Sequence, residues 1–261
     1  IIPSGSDVEN LKMFSVIYLL ASNLPLIVTT IIIFSTKLSS YRPNFRYFDN
    51  SLRVSVMSLG IGFFWLQLVA MSLFNTNNIL ITWFTGSHDV VYYQTYFKLF
   101  SLIGSFAWIA LTPIWSAVTE AYEENNYSWI RSTYKRLMII VGITVLANIL
   151  LIVLLQPIVD LWLGEESFIV DYKYAILFGV YNILYVWWGI QASFSNGTGK
   201  IKIQLIFATF GAFINIPLAF LFTNLVGGWI GVVIANIIAM SFYCIAESIH
   251  MKKVTGSRVG G

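Results

Sequence analysis

Long stretches without a charged residue are the feature that most constrains this chain. Windows free of Asp, Glu, Lys and Arg cover residues 13–36, 54–88, 99–119, 137–159, 174–199 and 203–246. A helix that crosses a bilayer needs about 20 apolar residues. Five windows therefore fit one crossing each, and the sixth, with 44 residues, fits two. Gly227 and Gly228 interrupt that last window near its middle, and paired glycines break helices.

The composition agrees with a membrane protein and excludes several soluble classes. Of the 261 residues, 57% are hydrophobic and 10% are charged, and the mean hydropathy is +0.77. Ordinary soluble domains carry about 25% charged residues, and a soluble fold of this size could not hide so much apolar surface. We therefore exclude a soluble enzyme, a disordered chain and a nucleic-acid-binding domain. Continuous apolar runs also favour helices over a β-barrel, whose strands alternate over about 10 residues.

These windows predict an all-α integral membrane protein with about seven transmembrane helices. The predicted spans are 13–36, 56–84, 95–119, 136–163, 173–195, 203–224 and 229–250. If the N-terminus lies outside, 12 of the 15 Lys and Arg residues fall on the cytosolic side. Such a bias is typical of cytosolic loops, so we expect the N-terminus outside and the C-terminus in the cytosol.

Residues for metal binding and covalent catalysis are scarce. Cys244 is the only cysteine, which excludes an internal disulfide, and His88 and His250 are the only histidines. The sequence has no serine-nucleophile, zinc-protease or phosphate-loop motif. We therefore expect no metal, no cofactor and no enzymatic activity.

Polar residues inside the predicted spans allow two interpretations each. No acidic or basic residue lies at a predicted bilayer centre, which argues against a buried proton relay. The span amides, among them Asn75 and Asn78, either form interhelical hydrogen bonds or line a hydrated cavity. Asn75 and Asn78, three residues apart on one predicted helix, would share a face.

Lys98 and Trp115 are similarly ambiguous. Lys98 follows three tyrosines at the outer start of a predicted span. It either extends to the membrane surface among these aromatic rings or contacts an anionic headgroup. Trp115 either anchors its span at the interface or stacks on a sugar ring.

Three segments resemble one family of membrane proteins. Pro113-Ile114-Trp115-Ser116-Ala117-Val118-Thr119-Glu120-Ala121-Tyr122, followed by Trp129-Ile130, is the most specific of them. The others are Asn75-Thr76-Asn77-Asn78-Ile79-Leu80-Ile81, and Asn196–Gln204 followed by Asn215–Ala219. Together they resemble the Wzx-like polysaccharide (O-antigen) flippases of the multidrug/oligosaccharidyl-lipid/polysaccharide exporter superfamily. Asn77 stands where that family often has Asp. The motif residues carried over are Pro113, Trp115, Ser116, Thr119, Glu120 and Tyr122.

The resemblance implies a fragment of a two-lobe, alternating-access transporter. Residues 13–36 would be the last helix of the first lobe and 37–53 the cytosolic loop between the lobes. Residues 54–250 would form the six-helix second lobe, and 251–261 a cytosolic tail. The N-terminal lobe would then be missing, and we expect this chain alone not to transport.

The resemblance also implies a substrate and a setting. Family members move oligosaccharide units linked to undecaprenyl pyrophosphate across the bacterial cytoplasmic (inner) membrane, for O-antigen, lipopolysaccharide or capsule synthesis. The implied partners are this lipid-linked substrate, membrane lipids, the missing lobe and the polysaccharide polymerase machinery, with no nucleic acid. By the same resemblance, Lys98 and Arg53 are candidates for anion contact. Asn75, Asn78 and Trp115 are candidates for the cavity lining.

Three alternatives remain open at the level of sequence. A cation-coupled multidrug exporter of the same superfamily would need acidic residues inside the spans, and we expect none there. A membrane polymerase or glycosyltransferase acting on the same lipid would need long external loops with Arg, His or paired carboxylates, and the predicted external loops are short. A structural membrane subunit would need neither feature.

Overall fold

A computed structural model describes residues 7–44, 49–164 and 167–256. Within these ranges the regular elements are all helical. The helices are α1 (Asp7–Ser35), α2 (Asn50–Phe74), α3 (Asn77–Phe84), α4 (Asp89–Glu123), α5 (Tyr127–Val153), α6 (Leu155–Leu163), α7 (Tyr172–Gly197), α8 (Lys202–Val226) and α9 (Ile230–Gly256), with a 3₁₀ turn at Ser39–Tyr41. The end of the predicted tail, 257–261, and residues 45–48 of the predicted loop lie outside the described residues.

Among the described residues, seven helices are long and apolar enough to cross a membrane. They are α1, α2, α4, α5, α7, α8 and α9. The prediction of an all-α integral membrane protein with seven spans is therefore confirmed. Helices meet the central requirement of the bilayer, because their backbone groups are hydrogen-bonded within the segment.

Two of the predicted spans are each divided into a long and a short helix. Span 136–163 ends as α5 at Val153 and resumes as α6 at Leu155. Pro157 explains this break, because its ring clashes with the carbonyl four residues earlier, at Val153, and it has no N–H to donate. Span 56–84 divides at Asn75 and Thr76, where the Thr76 hydroxyl bonds the Ser72 carbonyl. The interruption separates Asn75 from the helix that carries Asn78, so the prediction of one shared helix face is wrong.

The chain forms two compact units, residues 1–57 and 58–261. The first unit contains α1, the 3₁₀ turn and the start of α2. The Arg42 side chain folds back on α1 and donates from Nε to the Phe34 carbonyl at 2.6 Å. This hydrogen bond satisfies one of the carbonyls left open at the end of a helix.

Helix α7 is the core of the second unit and packs against α4, α5 and α9. Three glycines bring α4 and α7 close together. A Cβ at Gly104 would lie 2.6 Å from Asn182 Oδ1, and one at Gly189 would lie 2.9 Å from the Trp108 ring. At Gly197 it would lie 2.9 Å from the Trp115 carbonyl oxygen. Small residues drive helix association in membranes because they let backbones approach closely.

Helices α8 and α9 form an antiparallel pair in the same unit. Gly227, with φ +73°, ends α8 in the left-handed conformation that glycine adopts without strain. Gly231 then packs against the backbone of Thr223, and Gly211 packs against Ala239. The pair is held by contacts between main chains, which leave no room for a side chain at these two positions.

Replacement of Gly211 by alanine tests this close contact. A Cβ there would lie 2.5 Å from the Ala239 carbonyl oxygen, and overpacking of this kind costs about 1–3 kcal/mol. We expect Gly211→Ala to lower the unfolding temperature in detergent. Gly142→Ala on α5 is the matched control, since it is exposed and a Cβ there meets nothing within 4 Å. Equal unfolding temperatures for the two variants would contradict the packing described.

Candidate functional site

A cavity of about 270 Å³ lies within the second unit, between the end of α2, the middle of α4 and the middle of α7. Its lining combines aromatic rings with neutral polar groups. The lining residues are Phe74, Asn75, Phe97, Phe100, Ser101, Ser105, Phe178, Tyr181, Asn182 and Tyr185. None of these ten carries a charge, so the cavity suits a neutral ligand with both apolar faces and hydrogen-bonding groups.

Packed aromatic rings fix the shape of the cavity wall. Phe74 and Tyr185 meet edge to face with ring centroids 5.2 Å apart, and Trp108 lies 5.4 Å behind Tyr185. Phe178 packs against Phe100 at 5.9 Å. Edge-to-face pairs add about 0.5–1.5 kcal/mol beyond area burial. The rings that line the cavity are thus held by neighbours on their far side.

Asn182 brings an amide to the cavity from the buried face of α7. Its Nδ2 donates to Asn148 Oδ1 on α5 at 3.0 Å, and Asn148 Nδ2 donates to the Gly179 carbonyl at 3.3 Å. Gly104 leaves the space on α4 that Asn182 Oδ1 occupies. The amide is therefore oriented by α5 and accommodated by α4.

A second pair of amides joins α3, α4 and α9. Asn236 Nδ2 donates to Asn77 Oδ1 at 2.6 Å, and Asn77 Nδ2 donates to the Tyr93 hydroxyl at 2.9 Å. Asn77 and Asn236 are both at least 98% buried. For these residues the interhelical hydrogen-bonding interpretation is confirmed.

The five predicted substrate-binding residues fall in different places. Asn75 lines the cavity, while Asn78 Oδ1 accepts from Gln94 Nε2 at 2.7 Å. Lys98 is exposed, with Nζ 5.9 Å from the centroid of the Trp162 ring.

Trp115 and Arg53 also lie away from the cavity lining. The Trp115 ring is 44% exposed and packs 5.6 Å from Phe63. Arg53 belongs to the first unit, where it lines an open groove together with Arg42 and Asp49. The structure thus brings one of the five residues, Asn75, to the cavity.

Two of the motifs that resemble the flippase family contact one another. Gly197 at the end of α7 packs on Val118 and on the Trp115 carbonyl of α4. Just beyond, Lys200 Nζ lies 5.2 Å above the Tyr122 ring, a cation–π contact. The small residue and the lysine of the Asn196–Gln204 segment therefore pack against the segment that begins at Pro113.

The remaining motif residues shape or follow helix α4. Pro113 lies inside the helix, and the Thr119 hydroxyl donates to the Trp115 carbonyl at 3.1 Å. Ser116 and Glu120 are exposed.

Sequence reasoning missed a buried acidic residue, Glu247, inside the last span. Its side chain is 99% buried and accepts from Ser195 Oγ on α7 at 2.8 Å. His250 Nδ1 lies 3.3 Å from the same carboxylate oxygen. Glu247 directly follows the charge-free window 203–246, and it lies inside the candidate span Ile230–Met251. The statement that the spans lack acidic residues, used against the exporter alternative, is wrong for this position.

Comparison with known proteins finds no relative of this chain. Neither protein-family models, curated proteins nor solved structures give a match to this chain.

A double-mutant cycle tests the Asn148–Asn182 hydrogen bond behind the cavity. Each single Asn→Leu substitution removes one partner of this bond and leaves the other partner's atom unpaired, while the double variant removes both amides. We expect the double variant to be more stable than the sum of the single effects by about 0.6–1.7 kcal/mol, measured by unfolding in mixed micelles. Asn148→Leu combined with Asn236→Leu is the control cycle. Asn236 bonds Asn77 instead, so these effects should add within about 0.5 kcal/mol. Additive stability effects in both cycles would contradict a hydrogen bond between Asn148 and Asn182.

Proposed function

We propose that this chain belongs to a flippase that moves undecaprenyl-pyrophosphate-linked oligosaccharide units across the bacterial cytoplasmic membrane. The single observation that carries the proposal is the neutral cavity between α2, α4 and α7, lined by aromatic rings, amides and hydroxyls. The proposal also rests on the motif segments that resemble the Wzx-like family, two of which pack together at the ends of α4 and α7.

The chemistry of the cavity fits a sugar better than a cation or a purely apolar molecule. Sugar hydroxyls that lose water without gaining partners cost several kcal/mol each in hydrocarbon. Asn75, Asn182 and the serine hydroxyls provide such partners. Tyr181 and Tyr185 provide ring faces for the apolar side of a sugar. The cavity is about the size of the smallest ligand pockets, which begin near 300 Å³, so it would take one sugar of a repeat unit.

The polyprenyl tail and the pyrophosphate need different surroundings. We propose that the tail stays in lipid alongside the exposed apolar faces of the helices. The pyrophosphate needs cationic partners, and Lys98 and Arg53 remain the candidates. Lys98 is exposed beside Trp162, a position from which its amine reaches a headgroup at the membrane surface.

Transport would require a second lobe that faces this one. Alternating access then follows from rocking of the two lobes about the substrate. In this proposal the N-terminus of the chain faces outward and the C-terminus the cytosol. The partners are the N-terminal lobe, membrane lipids and the polymerase machinery that uses the flipped units for O-antigen or capsule.

A cation-coupled multidrug exporter is the second candidate, favoured by one observation. Glu247 supplies the acidic residue inside a span that such coupling requires. However, the cavity itself contains no carboxylate to hold a cationic drug. The flippase is therefore the better supported function.

The location of the lipid-linked oligosaccharide tests the proposal. The encoding gene is deleted in its host, and a membrane-impermeant sugar-modifying enzyme then reports which leaflet holds the complete units. We expect the units to accumulate in the cytosolic leaflet and to return to the outer leaflet on complementation. Normal export with altered sensitivity to cationic drugs would favour the exporter. Complete but unpolymerised units in the outer leaflet would favour the polymerase.

Substitutions in the cavity lining test whether the cavity takes part in transport. Complementation with Tyr185→Ala plus Asn182→Leu removes one ring and one amide from the cavity. We expect outer-leaflet units to fall roughly tenfold, the effect of about 1.4 kcal/mol, at an unchanged protein level in the membrane. Phe106→Ala on α4 is the control, because this ring is 73% exposed and does not line the cavity. Equal activity of the cavity variant and the control would contradict a role for the cavity.

A further inference from the structure

A polar cluster far from the cavity lining joins α5, α7 and α9. Gln191 Nε2 on α7 donates to the Tyr134 hydroxyl on α5 at 3.0 Å and to Ser248 Oγ on α9 at 2.5 Å. One turn along α7, Ser195 Oγ donates to Glu247 Oε1. Gln191, Ser195 and Glu247 are all at least 99% buried. These hydrogen bonds form two neighbouring groups, one around Gln191 and one around Glu247, and none of the residues lines the cavity.

Two oxygen atoms of this cluster lack a donor. Glu247 Oε2 and Gln191 Oε1 are buried and have no hydrogen-bond partner. An unpaired carboxylate oxygen in a membrane segment is costly, and a buried charge is costlier still. The Tyr243 hydroxyl is also buried without a partner. A proton on the carboxyl group removes its charge and gives it an O–H donor of its own.

His250 connects this buried carboxyl group to water. Its Nδ1 lies 3.3 Å from Glu247 Oε1, and its side chain is 28% exposed, against 1% for Glu247. A histidine that is partly exposed and in contact with a buried acid is suited to carry protons between the two. The cluster therefore has a partly exposed side chain, His250, in contact with a buried carboxyl group, Glu247.

We propose that Glu247 and His250 form a proton-binding site, with His250 as the group through which the proton enters. A protonated His250 gives its Nδ1 proton to Glu247 Oε1 and becomes neutral, retaining a proton on Nε2. Glu247 becomes a neutral carboxylic acid, and the net result is one proton taken from water. The uptake belongs to the coupled pair rather than to either residue alone. Ser195 is a positioning residue, since its hydroxyl holds the carboxyl group in place.

The ionisable groups around the pair are few among the described side chains. They are Tyr243 and the buried Cys244 on α9 and Tyr134 on α5, while α7 contributes the neutral Ser195 and Gln191. The only ionisable residue of α8 is Lys202, which is exposed, and α3 has none. The cationic residues of α5 are also exposed: Arg131, Lys135 and Arg136. This inference does not rest on the proposed function, because proton uptake is measured without any transported substrate.

Infrared difference spectroscopy of the chain in lipid nanodiscs tests the site. A buried carboxylic acid has a C=O stretching band separate from that of a hydrated one. We expect this band to appear in the wild-type chain as the pH is lowered from about 8 to about 5. It should be absent in Glu247→Gln and retained in Glu124→Gln, the same substitution at an exposed glutamate.

The role of His250 has its own readout, which keeps the proposal testable if Glu247→Gln does not fold. On transfer to heavy water the band shifts as the proton exchanges. We expect His250→Asn to slow this exchange by roughly 100-fold, the contribution of a positioned proton-transfer group. His88→Asn is the control, at a histidine whose side chain is 81% exposed, and it should leave the exchange rate unchanged.

Three results would overturn the proposal. The band never appears, or it does not change over this pH interval, so that no proton is exchanged. The band responds to replacement of sodium by choline and not to pH, which would make the site a cation site. Exchange is equally fast in His250→Asn and His88→Asn, which would exclude His250 as the entry group.

Discussion

The close approach of α7 to α4 is the contact on which the second unit depends. Side chains at Gly104, Gly189 and Gly197 would each clash with the opposite helix. Within a bilayer there is no general hydrophobic force between helices, so close packing and interhelical hydrogen bonds must hold them together. The same contact creates the space for Asn182, and it brings the ends of the two helices together at Trp115 and Gly197.

The polar groups of the second unit fall into three sets with different consequences. The pair Asn77 and Asn236 joins α3 and α9 and does not line the cavity. Asn182 is tied to Asn148 on one side and borders the cavity on the other. Glu247 is buried beside His250, and these two side chains, unlike the amides, can change their charge. The cavity and the proposed proton site therefore share no residue, although α7 borders both, through Asn182 at the cavity and Ser195 at Glu247.

The sequence predicted the seven spans well because the bilayer excludes charges over a fixed length. The same rule failed where chemistry within a span mattered. It treated Glu247 as a boundary, although a carboxyl group can enter a helix bundle when Ser195 and His250 face it. The length of a charge-free window also does not show where a span breaks, as at Pro157, whose clash with the preceding turn ends α5 at Val153.

The cavity was only partly predictable. Asn75 was among the candidate site residues and Asn182 was one of the amides within the predicted spans, but Tyr185 was not singled out. Their common position depends on how each helix is rotated about its axis, which is set by the packing of Gly104 and Asn148, residues far apart in the chain. One sequence identifies the amides within the spans but does not pair them.

Photo-crosslinking in the host tests most directly whether the cavity holds a sugar. A photo-reactive phenylalanine analogue is placed at Tyr185, and at Phe106 as the exposed control, in cells that make the lipid-linked oligosaccharide. The account predicts an adduct at position 185 that carries the oligosaccharide and loses mass on glycosidase treatment, with none at position 106. A sugar adduct at position 106 and none at position 185 would contradict it.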